Sequence, residues 1–305
     1  MNLASACLTI AGLCLFETIS SIDNAIINAE VLATMRPKFR RWFLFWGILI
    51  AVFGVRGLLP WGIVWALTPG IGPGEAFTAT FSSDPRVMDA VNLSTPVLLL
   101  GGGVFLILLF FHWLFLEDKN FGLPGERFFM RQGVWFYAVA SILLAVVVWF
   151  AMRVNPMMAF SAVMGSTAFF ITHGFKQNAE QGERDLISSN KSDLAKIFYL
   201  EIIDTTFSID GVLGAFAFTL AVPLILIGNG LGAFVVRELT VRNVETIKKY
   251  RYLKNGAMYS ILILGSVMVV GAFGAHIPHF VSPAATFGVV GYFFFKSRRA
   301  MTRCG

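Results

Sequence analysis

The sequence predicts an all-α protein: a polytopic transmembrane helical bundle of about nine spans, arranged as inverted repeats with broken first and sixth helices. Three observations predict it. Of 305 residues, 56% are hydrophobic and 14% charged, where a soluble domain carries about 25% charge. The apolar residues fall in runs long enough to cross a bilayer, which takes ~20 residues of helix. The basic residues cluster in alternate connections between those runs. This much apolar surface cannot be hidden in one core, because a soluble domain keeps a polar exterior. The net charge of +6 then reads as membrane orientation rather than as nucleic-acid binding.

The spans are predicted at 3–33, 42–66, 96–116, 132–152, 155–173, 197–220, 222–236, 256–274 and 282–296. The seventh and ninth are short for a crossing. The first has no basic stretch before it and is read as a retained span rather than a cleaved signal. The connections 36–41, 117–131, 174–196, 237–254 and the tail from Lys296 hold 21 of the 24 Lys and Arg residues. That bias predicts a multi-pass protein of the cytoplasmic (inner) membrane, with the N-terminus outside and the C-terminus in the cytoplasm. It divides the chain into a first membrane half (1–152) with one repeat, a fifth span with a cytoplasmic connecting loop (153–196), and a second half (197–305) with the other repeat. The long outer loop 67–95 carries Glu75, Asp84 and Asp89 against Arg86; it reads as a solvated loop or as a weakly acidic vestibule. Cys7 and Cys14 are about 10 Å apart along a helix, too far to bridge.

The first and sixth spans break the apolar rule. One reads Glu17-Thr18-Ile19-Ser20-Ser21-Ile22-Asp23-Asn24, the other Asp204-Thr205-Thr206-Phe207-Ser208-Ile209-Asp210-Gly211. Acid, Thr, Ser, Ile and Asp fall in register, so the two windows form an internal repeat. A carboxylate at mid-bilayer costs ~2.5–3.5 kcal/mol on insertion scales, and four cost roughly 10–14 kcal/mol. A cation, protons or water must offset that; pairing with Arg56 or Lys for packing alone is the bland alternative. Helical spacing puts Glu17, Ser21, Asn24 and Asn28 on one stripe, with Asp204 and Ser208 repeating it and Glu201 one turn earlier. Asp23 and Asp210 fall about 120° away on a straight helix, which predicts local breaks near Ser21–Asp23 and Ser208–Gly211. Under the predicted topology the two copies cross in opposite directions, a recurrent transporter plan.

Carboxylates, hydroxyls and an amide are hard oxygen donors, suited to Mn, Mg or Ca rather than Zn or Cu; a proton-coupled carrier is equally compatible. The candidate metal ligands are Glu17, Ser21, Asp23, Asn24, Asp204, Ser208 and Asp210. Glu201, Arg56 and Arg237 are candidate gates or charge partners, with interfacial snorkelling the alternative for both arginines.

At these motifs the chain resembles the TerC family of integral membrane proteins, within the LysE-type transporter superfamily. The resemblance rests on Glu17, Ser21, Asp23 and Asn24; on Asp204, Phe207, Ser208 and Asp210; on Trp46-Gly47-Ile48 to Arg56; and on Asn229 through Arg237. It covers about two thirds of the chain. Gly211 departs from the usual Ser or Asn, and the divergent 67–95 and 174–196 loops point to a branch of uncharacterised function. The resemblance implies metal-ion handling, chiefly manganese export, and in some members a link to tellurite resistance.

Other features carry less. The stretch His173 to Glu180 reads as a solvated loop or a cytoplasmic gate. His112 reads as a helix-end histidine, and His276 and His279 as interfacial. Gly101-Gly102-Gly103 is a helix-packing surface, because it lacks the strand and Lys-Ser/Thr of a nucleotide loop. No nucleophile–base pair or His-Glu-x-x-His is present, so an enzyme is not expected. The sequence thus predicts a transporter exporting a divalent cation, manganese ahead of calcium or magnesium, with no permanent cofactor. Its partners are the lipid bilayer and the metal ion, with no nucleic acid, and a homo-oligomer is left open. The alternative is a non-transporting scaffold of a metal or tellurite stress-response complex with a structural ion site.

Overall fold

The computed structural model describes residues 3–47, 49–68, 70–118, 123–188 and 192–304. Among them there is no strand. The chain folds as an all-α polytopic membrane helical bundle. Its helices are α1 (Leu3–Ser20), α2 (Ile22–Ala33), α3 (Pro37–Trp42), α4 (Leu58–Leu67), α5 (Pro73–Thr78), α6 (Pro85–Leu116), α7 (Pro124–Met130), α8 (Trp135–Val154), α9 (Pro156–Ser188), α10 (Asp193–Ala215), α11 (Val222–Lys248), α12 (Leu253–Ala272) and α13 (Val281–Cys304). Two π-helical stretches, Phe43–Gly47 and Ile50–Val55, join α3 to α4.

The α6 helix is the axis of the bundle. Asp84 caps it by accepting from the Arg86 backbone N–H at 2.9 Å, and Pro85 supplies a first-turn residue with no N–H to satisfy. Nearly all of its apolar window is buried, 89%, whereas that of α8 is 17% buried. Glycines set the difference. A Cβ on Gly101 would lie 2.5 Å from Ser161 Oγ on α9, and one on Gly103 would lie 3.0 Å from the Gly265 carbonyl on α12. The expected packing role of Gly101–Gly103 is therefore met, with α9 and α12 as the partners. The α8 helix turns Ile142, Trp149 and Phe150 outward, as a lipid-facing helix must.

Five helices among the described residues are long and apolar enough to span by themselves: α1, α6, α8, α9 (over Pro156–Asn178) and α12. The α10 helix has the length, 23 residues or ~35 Å, but carries charge in its middle. The helices at the predicted seventh and ninth spans, α11 and α13, are longer than the apolar runs that predicted them.

Three expectations are corrected. The sixth span is not broken at Ser208–Gly211, because α10 runs unbroken from Asp193 to Ala215; Gly211 serves close packing instead. The first span is interrupted where expected, between α1 and α2 at Ser21, although Ser21 N–H still donates to Glu17 O at 3.1 Å, and Ala25 N–H to Ser21 O at 2.9 Å. The most irregular span is the second, which passes through both π-helical stretches before α4. The 67–95 and 174–196 regions are not simply loops. The first holds α5 and the start of α6, and in the second α9 continues to Ser188 and α10 begins at Asp193. Their polar composition hid helices that extend past their apolar windows.

Candidate functional site

The two acidic motifs meet across α1, α2 and α10. A Cβ on Gly214 would strike the Phe16 ring, and one on Gly211 would lie 2.5 Å from Glu17 Oε2. Further along, Lys196 Nζ donates to Thr34 Oγ1 at 2.9 Å, and Arg36 Nε pairs with Asp193 Oδ2 at 2.5 Å. Residue numbers rise on one side as they fall on the other. The α1–α2 pair and α10 therefore run in opposite directions, and the two motif copies lie antiparallel.

Arg56 sits at the centre, at the end of the second π-helical stretch and before α4. It is 2% exposed, beside Glu17 at 0% and Asp204 at 7%. Arg56 Nε and Nη2 donate to Glu17 Oε1 at 2.9 and 2.6 Å, and Nη1 lies 3.7 Å from Asp204 Oδ2. Ser21 Oγ donates to the same Glu17 oxygen at 2.7 Å. The predicted Glu17–Ser21 stripe is thus present, one turn apart on the same face. Glu17 Oε2 is buried with no hydrogen-bond partner among the described residues. Glycine makes room for this carboxylate on two helices: besides Gly211 of α10, a Cβ on Gly232 of α11 would lie 2.5 Å from Glu17 Cβ.

Asp210 pairs with Lys176 of α9, while its Oδ1 is buried without a hydrogen-bond partner. Ser208 Oγ donates to the Asp204 carbonyl at 2.5 Å, so its hydroxyl is committed to its own helix rather than offered to a ligand. Arg237 Nη1 donates to Phe43 O at 2.8 Å, and its guanidinium lies 4.5 Å above the Phe43 ring. Glu201 has both carboxylate oxygens buried without hydrogen-bond partners. A Cβ on Gly47 would collide with Glu201 Oε1 and lie 2.8 Å from Arg237 Nη1, so Glu201 and Arg237 share the space that this glycine leaves.

The described residues therefore place the predicted groups in ion pairs rather than in one metal cage. Among them no three His, Cys, Asp or Glu side chains are grouped to hold a metal. Glu17 and Asp204 turn to Arg56, and Asp210 turns to Lys176, because a buried carboxylate needs a partner. The side chains of Asp23 and Asn24 lie outside the described residues. Arg56, read as a gate or charge partner with snorkelling the alternative, is a buried charge partner.

Sequence reading missed Lys176, and took Asn229 only as the start of the stretch that resembles the TerC family. Lys176 was hidden in a stretch read as a connecting loop; its signal was a lone basic residue directly after the apolar run of 155–173. Asn229 is 0% exposed with both amide atoms lacking hydrogen-bond partners. Its signal was an amide inside an apolar span.

Comparison with known proteins places the geometry in a family. A stretch of 112 residues is 30% identical to "Uncharacterized membrane protein YceF" of Bacillus subtilis (strain 168), covering 36% of this chain and 44% of that protein. The chain thus spans less than half the length of this curated relative. No solved structure matches. Residues 22–303, nearly the whole chain, match the family described as "Protein of unknown function (DUF475)". With that coverage, this membrane protein belongs to the DUF475 family.

Proposed function

We propose that the protein is a membrane transporter that exports a divalent cation, manganese foremost, through the carboxylate seam between α1, α10 and the Arg56 turn. The observation that carries this reading is a set of buried oxygen acceptors without hydrogen-bond partners, Glu17 Oε2 and Asp210 Oδ1, on residues whose other oxygens are held by Arg56 and Lys176. In this reading the two cations are resident counter-ions, and the metal enters by displacing them. Glu17, Glu201, Asp204 and Asp210 line the seam with Arg56, Lys176 and Arg237, and a row of carboxylates attracts a cation. Oxygen donors favour manganese, calcium or magnesium over zinc, and the resemblance of both motifs to the TerC family favours manganese among them. Antiparallel motif copies suit alternating access. The protein is then no enzyme and needs no permanent cofactor. It lies in the cytoplasmic (inner) membrane with its N-terminus outside and its C-terminus in the cytoplasm.

One observation favours a second reading, a non-transporting scaffold of a metal or tellurite stress-response complex. The acids already have cationic partners, so they could be purely structural. Flux into proteoliposomes separates the two. With the purified chain, manganese flux should exceed that of calcium, magnesium and zinc. Asp204→Asn and Asp210→Asn should reduce it to the level of protein-free vesicles while the protein stays monodisperse. Absence of flux for all four metals in the folded wild type sinks the transporter and leaves the scaffold.

A further inference from the structure

A second titratable cluster lies beside the Lys176–Asp210 pair and outside the carboxylate seam. His112 of α6 and His173 of α9 have ring centroids 3.7 Å apart. His112 is 7% exposed. Phe136 meets its ring edge-on at 5.4 Å, and Phe169 stacks on His173 at 5.8 Å, so aromatic rings close the flanks of the pair. Gln177 Nε2 lies 3.2 Å from His173 Nε2. With the amide so oriented it donates, the imidazole nitrogen accepts, and His173 is neutral. Reversing the amide would present its oxygen to a protonated ring, so Gln177 can serve either state.

The charged groups acting on His173 are Lys176 on its own helix, Glu117 at the end of α6, and Asp210 on α10; the Asp23 side chain of α2 lies outside the described residues. Two imidazolium rings this close in a low-dielectric interior repel strongly, so the pair holds one proton at most. His173 and Lys176 are three residues apart and share a helix face. A proton on the pair therefore sets a new positive charge beside the Lys176 ammonium, repelling it while competing for Asp210.

We propose that the His112–His173 pair is a proton-binding site that takes up one proton per chain and, on doing so, loosens the Lys176–Asp210 ion pair. Used this way it rests on the transporter reading: the bound proton is the ion coupled to the metal, and its arrival weakens the hold of Lys176 on Asp210.

Proton binding can be tested without transport. The full chain is placed in lipid, labelled with ¹⁵N in its histidine and lysine side chains, and followed by solid-state NMR across a pH series. Lys176 is assigned by the signal lost in Lys176→Arg. The remaining histidine signals, those of His276 and His279, are identified by their loss in His276→Gln and His279→Gln. The His112 and His173 signals should move together with uptake of one proton between them, and the Lys176 signal should move in step. His173→Gln should abolish the Lys176 step. His112→Gln should leave a His173 that titrates alone, a check that holds if the first variant fails to fold. Independent uptake of two protons, or a Lys176 signal that ignores the pair, overturns the proposal. Manganese flux by the same variants separates this outcome from that of the transporter reading. Flux with unchanged pH dependence in both histidine variants removes the coupling and keeps the transporter. A titrating pair with no wild-type flux keeps the proton site and removes the transporter.

Discussion

Arg56 brings five hydrogen-bond donors into a site that is 2% exposed, where Glu17 accepts from two of its nitrogens. Truncating one member of such a pair strands the other, at a cost of about 3–5 kcal/mol. Arg56→Met should therefore lower the thermal stability of the detergent-solubilised protein sharply. The double variant Arg56→Met with Glu17→Gln should recover part of the loss, because no unpaired carboxylate remains at position 17. Arg56→Lys should also lose stability, since an ammonium cannot hold Glu17 through two nitrogens as Nε and Nη2 do. Gly211 makes a matching case on the opposite helix. Its missing side chain is the space in which Glu17 Oε2 sits. Gly211→Ala should displace the Glu17 carboxylate and cost ~1–3 kcal/mol, the ordinary range for overpacking. A Gly211→Ala cost that shrinks when it is measured in a Glu17→Ala background would confirm the contact.

At the scale of elements, the second span is where local geometry departs most from a regular helix. Wide π-helical turns recur at functional sites. Here they carry the Phe43 carbonyl and ring that hold Arg237, and they end one residue before Arg56. Gly47→Ala should disturb Glu201 and Arg237 together, read as lost metal flux from a protein that still inserts. Apolar run length and charge alternation were enough to read the bundle, the two acidic motifs and the Glu17–Ser21 stripe. They could not show which helix would break. A π turn leaves no periodic signature in a span whose residues are apolar on every side. Gly211 looked like a helix breaker because glycine's backbone freedom is visible in a sequence, whereas the carboxylate packed against it is not. Lys176 was missed for the converse reason: charge spacing marks where apolar composition ends, and α9 continues as a helix beyond that point.

At the scale of the molecule, the distribution of basic residues governs orientation. The basic connections predict that single cysteines placed in 36–41 and 117–131 are labelled by impermeant reagents only from the cytoplasmic side, and one at position 86 only from the outside. Labelling of all three from one side would overturn the topology. The same bundle also has a consequence for biogenesis. The glycine row of α6 packs on α9 and α12, and α12 begins at Leu253, more than a hundred residues after α6 ends. A nascent chain halted before Leu253 has inserted its central helix but holds the groove meant for α12 open toward lipid. The bundle cannot close helix by helix as it leaves the ribosome; its axis waits, half-clad, until α12 has followed.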